Sequence, residues 1–418
     1  MKDLESRYVD SLVERYGSPL FLVSAETLEN NVKAFKRMFR EKYPKTEVAY
    51  AYKANYLFQI LKIIHKAGAW AEVASGFEYD IARRLGVPGG SIVFNGPGKT
   101  KEHLLAAVSQ GALINVDNEE EIRLLVEISG ELKKPIDIGI RINADVGINQ
   151  RIDRFGFNLE TGEAFRIVRL CEAAGFLNVI CLHLHLTSYI VEPGGEGEYT
   201  PAQNIKLIWP KSAGMYEVAS KKISKLAKKI KKELGVEIKY IDLGGGFPSI
   251  KDLGTYVSKV TGPLVQELGE DGPVLLLEPG RAIVKDAVCL ITTILASRKL
   301  ENGQKAVTAD AGINILPTSY WSSQEVRPLR PSGKKLSNTT IYGPLCLQTD
   351  IVSRTLINKL ERGDKIVVEN VGAYNIPQGS PFIYPRPQVV MLEGRQGRVI
   401  RRAETINDIL ELEKVTDT

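Results

Sequence analysis

Eight short apolar runs recur between residues 45 and 280, and helical patterns separate them. The runs are Val48–Tyr52, Ala71–Val73, Ile92–Phe94, Leu113–Val116, Ile136–Ile142, Val179–Leu186, Ile238–Leu243 and Val274–Leu277. Most are rich in Val, Ile and Leu along their whole length. Such a strand suits a parallel sheet buried on both faces. Ile136–Ile142 fits least, because Asp137 and Arg141 interrupt it. Glu119–Ile128 and Ser220–Leu234 space apolar residues three and four apart with charges between, which is the amphipathic helix pattern. Eight strand-then-helix units in roughly 240 residues is the arithmetic of a (β/α)8 barrel. A doubly wound open sheet is the alternative.

The pattern changes after Arg281. Ala287–Ala296, Ala306–Ala309, Thr339–Tyr342 and Lys365–Val368 are short and β-prone. Turn clusters such as Glu301-Asn302-Gly303 and Arg362-Gly363-Asp364 separate them. The expected organisation is α/β: a barrel over residues 28–283 and a mostly β domain over 284–418. The N-terminal segment 1–27 joins the β domain, because Leu20–Val23 reads as a strand placed before the barrel.

The 418 residues are 44% hydrophobic and 25% charged, so the core needs no metal or disulfide staple. Four cysteines, Cys171, Cys181, Cys289 and Cys346, show no close-paired spacing, which points to a reducing cytoplasm. No apolar run approaches the roughly 20 residues that span a bilayer. The opening MKDLESRYVDSLVERYG lacks an apolar signal core. The net charge of +5 is small for this length, and its densest stretch, Lys221 to Lys232, has no interleaved aromatic side chains. It reads as a solvated helix face rather than a nucleic-acid patch.

In a barrel, chemistry gathers where strands end. The first strand runs into Lys53, directly after Val-Ala-Tyr-Ala-Tyr. The sixth ends in His183-Leu184-His185-Leu186-Thr187-Ser188, with two of the four histidines on one face by the period of two. No local carboxylate or cysteine completes a metal site there, so no metal is expected. The seventh runs into Gly244-Gly245-Gly246, whose backbone can turn successive N–H groups toward an anion. The eighth ends in Glu278-Pro279-Gly280-Arg281. A lysine, an imidazole, an anion cradle and a carboxylate around one mouth form the set that pyridoxal 5′-phosphate needs.

The motifs YAYKAN, HLHLTS, GGGFP, EPGR, DAG, GPLC and GAY stand in an order that resembles the diaminopimelate decarboxylases. These are part of a wider group with the ornithine and arginine decarboxylases, which share a pyridoxal-phosphate fold like that of alanine racemase. The resemblance runs from about residue 15 to 405 and implies a role for each matched position. Lys53 matches the lysine that carries the cofactor. His185 matches the residue stacked on its ring, and Glu278 the partner of the ring nitrogen. Ser188, Gly245 and Gly246 match phosphate ligands, with Arg281 near the phosphate or the substrate carboxylate. Tyr374 matches a further phosphate contact from the β domain. Cys346 matches the proton donor to the carbon that loses CO2. In the family it comes from the neighbouring subunit, so a homodimer with shared active sites is implied.

The matches stop at the substrate. Diaminopimelate decarboxylases usually follow the cysteine with Glu-Ser, whereas here Leu347-Gln348 follow, ahead of Asp350. They usually carry Arg-Pro soon after DAG, whereas here the segment reads Ile313-Asn314-Ile315-Leu316-Pro317-Thr318-Ser319-Tyr320-Trp321. Arg327 and Arg330 stand at the wrong spacing to replace it. Thr187 replaces the usual Gly, and a long segment, Tyr189 to Ser212, follows. The expectation is α-decarboxylation of an amino acid other than meso-diaminopimelate, with a larger or carrier-linked substrate as one form. True meso-diaminopimelate decarboxylation to lysine is the alternative. Outside the decarboxylases, the alternatives are an amino-acid racemase and an inactive cofactor-binding regulator. Glu278 argues against the first, and retention of Lys53 and Cys346 against the second.

Overall fold

The computed structural model describes residues 5–147, 154–186, 213–330 and 336–413. They divide into two units. One holds residues 29–147, 154–186 and 213–283, the other residues 5–28, 284–330 and 336–413. Strand β1 (Leu20–Ser24) belongs to the second.

The first unit contains β2 (Thr46–Ala51), β3 (Trp70–Val73), β4 (Ile92–Phe94), β5 (Leu113–Val116), β6 (Ile136–Asn143), a short β7 (Phe157–Asn158), β8 (Leu177–His183), β9 (Tyr240–Asp242) and β10 (Val274–Leu277). All pair in parallel. The order β5-β4-β3-β2-β10-β9-β8-β6 closes through β5 and β6, so eight strands form a barrel and β7 hangs on its edge. Six of them send Ala49, Trp70, Val93, Leu113, Tyr240 and Leu276 into one apolar cluster. Inward positions recur every second residue of a strand. Two residues beyond that plug come Glu72, Asn95, Asn115, Asp242 and Glu278, all buried. Apolar stuffing thus gives way to a polar layer toward the C-terminal strand ends.

The helices follow local signals. Helix Glu119–Leu132 starts where the Asn118 side chain accepts the Glu121 N–H at 3.1 Å, and three glutamates fill its first turn. Helix Ala213–Leu234 buries Tyr216, Ala219, Ser220, Ile223, Leu226, Ala227 and Ile230 at three- and four-residue spacing. Its lysines lie outside that stripe, and Lys222, Lys228 and Lys231 pair with Glu160, Glu267 and Glu237. The basic stretch is a solvated face.

The second unit carries β11 (Val288–Lys299), β12 (Lys305–Ala309), β13 (Glu325–Pro328), β14 (Leu336–Tyr342), β15 (Ile351–Asn358), β16 (Lys365–Glu369), β17 (Gln388–Glu393) and β18 (Gln396–Arg401). The sheet runs β15-β14-β12-β11-β1-β17-β18, with β16 on β11 and β13 on β16. β1 pairs antiparallel with β11 and parallel with β17. Its Leu20 and Leu22 pack with Val9, Leu12, Ile291, Val367, Val390 and Leu392. β13, β15, β17 and β18 go beyond the runs read from sequence. β15 and β18 are only partly buried, and β13 ends in a proline, as edge strands can. The cysteines are free: Cys171, Cys181 and Cys289 are buried and Cys346 is exposed. No helix among the described residues is long and apolar enough to cross a membrane.

Candidate active site

The polar layer places its side chains by register. Ala51 faces Glu72 across β2 and β3, and His183 faces Asp242 across β8 and β9. Lys53 leaves β2 in a single helical turn, Tyr52–Ala54. Its ammonium donates to Glu72 Oε2, and the side chain stays 39% exposed. The amine is therefore reachable from the mouth, while its carboxylate partner is buried.

Behind Lys53 runs a chain of hydrogen bonds. Asn95 Nδ2 donates to Glu72 Oε1 at 3.0 Å and to Glu278 Oε1 at 2.5 Å. Asn115 Nδ2 donates to Asn95 Oδ1 at 2.9 Å and to Asp242 Oδ2 at 3.4 Å. Asp242 Oδ1 accepts the Gly244 N–H at 2.8 Å. Burial, together with the negative charge of neighbouring carboxylates, raises the proton affinity of the Asp242 and Glu278 carboxyls above the usual range.

His183 ends β8 and His185 lies two residues on. Burial holds both imidazoles neutral, helped by the cations of Arg141 and Lys53. His185 is lowered to about 3. Its Nδ1 accepts the Gly245 N–H at 3.0 Å, so the ring proton sits on Nε2. A carboxylate does reach the histidine pair, against the local sequence reading. Glu278 Oε2 lies 3.7 Å from His183 Nε2 and 3.8 Å from His185 Nδ1.

The glycine triplet is required by close approach. A Cβ on Gly244 would fall 2.5 Å from His185 Nδ1, and one on Gly245 would fall 2.4 Å from the Glu278 carbonyl oxygen. The Gly244 and Gly245 N–H groups turn inward, to Asp242 and His185, rather than lining an open cradle. Gly246 has φ +92°. Tyr216 ties the turn down by donating to the Gly245 carbonyl at 2.8 Å, and the Arg281 cation acts on Tyr216 and Tyr256.

Lys53, His185, Gly245, Gly246, Glu278 and Arg281 thus all lie at the C-terminal strand ends of the barrel. Ser188 lies outside the described residues. Cys346 and Tyr374 belong to the other unit. Asp350 fixes the turn that bears Cys346, accepting the Leu345 N–H at 2.7 Å and the Ile313 N–H at 2.8 Å. Tyr374 caps the short helix Asn375–Gln378 with φ +67°. Sequence reading passed over Glu72, Asn95, Asn115 and Asp242. Their signal is a polar residue within or just beyond an otherwise apolar barrel strand.

These residues fit pyridoxal 5′-phosphate. Glu278 Oε2 is buried and makes no hydrogen bond among the described residues, so it has capacity for a donor such as a protonated ring nitrogen. Lys53 offers an amine at the mouth, and His185 a flat, neutral ring beside Glu278. The chain also matches the model of the pyridoxal-dependent decarboxylases, pyridoxal binding domain, over residues 28–195 and 211–285. It is 28% identical over 430 residues to the diaminopimelate decarboxylase of Aquifex aeolicus, covering 98% of this chain and 94% of that one. It is 29% identical over 426 residues to that of Methanocaldococcus jannaschii, covering 96% and 92%. A crystal structure of the M. jannaschii enzyme superposes with a TM-score of 0.85 at 27% identity, over 97% of this chain and 94% of that one. The chain belongs to the pyridoxal-dependent decarboxylase family and is a pyridoxal 5′-phosphate-dependent amino-acid decarboxylase.

Proposed function

We propose that the protein removes the α-carboxylate of an amino acid other than meso-diaminopimelate, acting as a homodimer that shares its active sites. One observation carries the substrate reading. Leu347 stands where diaminopimelate decarboxylases usually place a glutamate, and the two arginines near the missing Arg-Pro are occupied. Arg327 donates to Glu369 at 2.8 Å, and Arg330 is paired with Asp10. A site without these polar groups loses its discrimination for a charged distal end.

Each residue's task follows from its surroundings. Bound pyridoxal 5′-phosphate supplies an electron sink for the pair left at Cα when CO2 departs. Lys53 would hold the cofactor through its amine, with Glu72 as the carboxylate beside that nitrogen. Glu278 would offer Oε2 to the ring nitrogen, and the neutral His185 ring would pack on the cofactor. As the resemblance implies, Ser188, Gly246, Arg281 and Tyr374 would hold the phosphate, and Gly245 would join them by turning its N–H from His185 to the anion. Cys346, exposed on its turn, returns a proton to Cα from the neighbouring subunit. The exposed apolar side chains of Leu347, Phe382, Ile383 and Tyr384 on the same unit offer area for a second copy to cover.

The second reading is meso-diaminopimelate itself, favoured by the names of the relatives. A screen of amino acids for CO2 release, with pyridoxal phosphate present, separates the two. Turnover of another amino acid with little lysine formed from meso-diaminopimelate is expected. Robust lysine formation overturns the substrate reading.

A further inference from the structure

We propose that Asn95 is a positioning residue for the ring nitrogen's partner: its side-chain amide stands between Glu72 and Glu278 and holds Glu278 as an oriented carboxylate. The inference rests on the roles given to Lys53 and Glu278 above and deepens them.

Asn95 follows β4, and its backbone N–H continues the barrel ladder to the Val73 carbonyl at 2.8 Å. The side chain is 5% exposed. Both amide hydrogens are committed, one to each carboxylate, and Oδ1 takes the Asn115 amide. That third bond fixes the orientation. A flipped amide would set its oxygen against two carboxylates and its NH2 against another NH2.

The need for such a group follows from what faces Glu278. Lys53, Glu72, Cys181, His183, His185 and Asp242 approach it from the neighbouring strand ends, with Arg141 acting on the two histidines. Burial, Asp242 and Glu72 all favour a protonated Glu278. A carboxyl that keeps its proton cannot leave that proton on the ring nitrogen, and the electron sink weakens. An N–H bonded to Oε1 favours the ionised form instead. Because the donor is a neutral amide, it serves Glu72 and Glu278 together without adding charge. Oε2 is left as the outlet toward the ring.

The test uses full-length enzyme loaded with pyridoxal phosphate labelled at its ring nitrogen, read by nitrogen NMR. Cofactor Kd and kcat are measured on the best substrate from the screen. Wild type should show a protonated ring nitrogen. Asn95→Leu has similar volume and no donor. It should move the shift toward the unprotonated ring and lower kcat about tenfold or more, one pK unit of lost preference, with a smaller change in cofactor Kd. Asn95→Ser, with one donor, should fall between. A protonated shift in Asn95→Leu with unchanged kcat overturns the proposal, as does a fall in kcat matched only by lost cofactor binding. If Asn95→Leu fails to fold, an unchanged shift in Asn95→Ser overturns it. An unprotonated ring in wild type would instead sink the assignment of Glu278, and this inference with it.

Discussion

At the barrel mouth, Glu72, Asp242 and Glu278 are held by amides and a lysine, and one Glu278 oxygen has no hydrogen bond among the described residues. In the β unit, Asp350 is also buried, yet both its oxygens accept backbone N–H groups of a single turn region. Burial raises the proton affinity of Asp350 too, and those two N–H groups oppose it. The difference separates two uses of a buried carboxyl. One with all its capacity spent on backbone is architecture. One left with capacity in a dry, charged layer is set for chemistry.

Substitutions at four positions sharpen or break that contrast, in falling order of effect. Lys53→Ala should lower turnover by about a thousandfold or more and abolish covalent cofactor attachment, checked by borohydride reduction and mass spectrometry. Cys346→Ala should cost about a hundred- to ten-thousandfold in kcat, the range for a lost proton donor, with little change in cofactor binding. Mixing the Lys53→Ala and Cys346→Ala proteins should restore activity, because one interface then regains an intact pair. No recovery would break the shared-site reading.

Asp350→Ala strands the Ile313 and Leu345 N–H groups and should cost about 1–3 kcal/mol for each buried donor left unpaired, read as a lower melting temperature. Asp350→Asn keeps an acceptor and should lose less.

The smallest effect concerns Glu78, buried beside Glu72 and raised to about 7 by desolvation and by Glu72. Its folded value lies above the ordinary 4.5. Its contribution to stability is therefore full below that value and lost as pH climbs toward 7. Glu78→Gln keeps an acceptor for the Ala74 N–H and removes the titration. Its melting temperature relative to wild type should rise between pH 5 and pH 8, by about 2–4 °C for each kcal/mol relieved. A pH-independent difference would break the argument.

The barrel was legible because parallel strands buried on both faces are apolar along their length. The eight runs match its eight strands to within a few residues. The β unit was less legible. β15 and β18 expose one side and mix Ser, Arg, Thr and Gln among their apolar residues, so no run stands out. Lys53, His185 and Glu278 could be found because each sits at a junction beside a distinctive neighbour. Glu72, Asn95, Asn115 and Asp242 needed a different question. Asp242 stands beside the glycine triplet, yet it reads as the end of a strand. Asking which residue follows an inward apolar one by two finds them all: Trp70 then Glu72, Val93 then Asn95, Leu113 then Asn115, Tyr240 then Asp242. That step depends on knowing which face looks inward, which a strand apolar on both faces hides.

The place of β1 between β11 and β17 bears on how the chain is born. Leu20, Phe21, Leu22 and Val23 leave the ribosome early, but their partners follow only after the whole barrel has been made. Those partners are Val288 to Ile291 on one side and Gln388 to Leu392 on the other. Through most of synthesis the newborn chain therefore carries an apolar strand with both edges unpaired, the kind of segment that invites pairing with the wrong neighbour. The barrel can settle while its strands appear in order. The β unit has to wait for its last partner, so a chain cut short before residue 388 would leave β1 with the edge meant for β17 open.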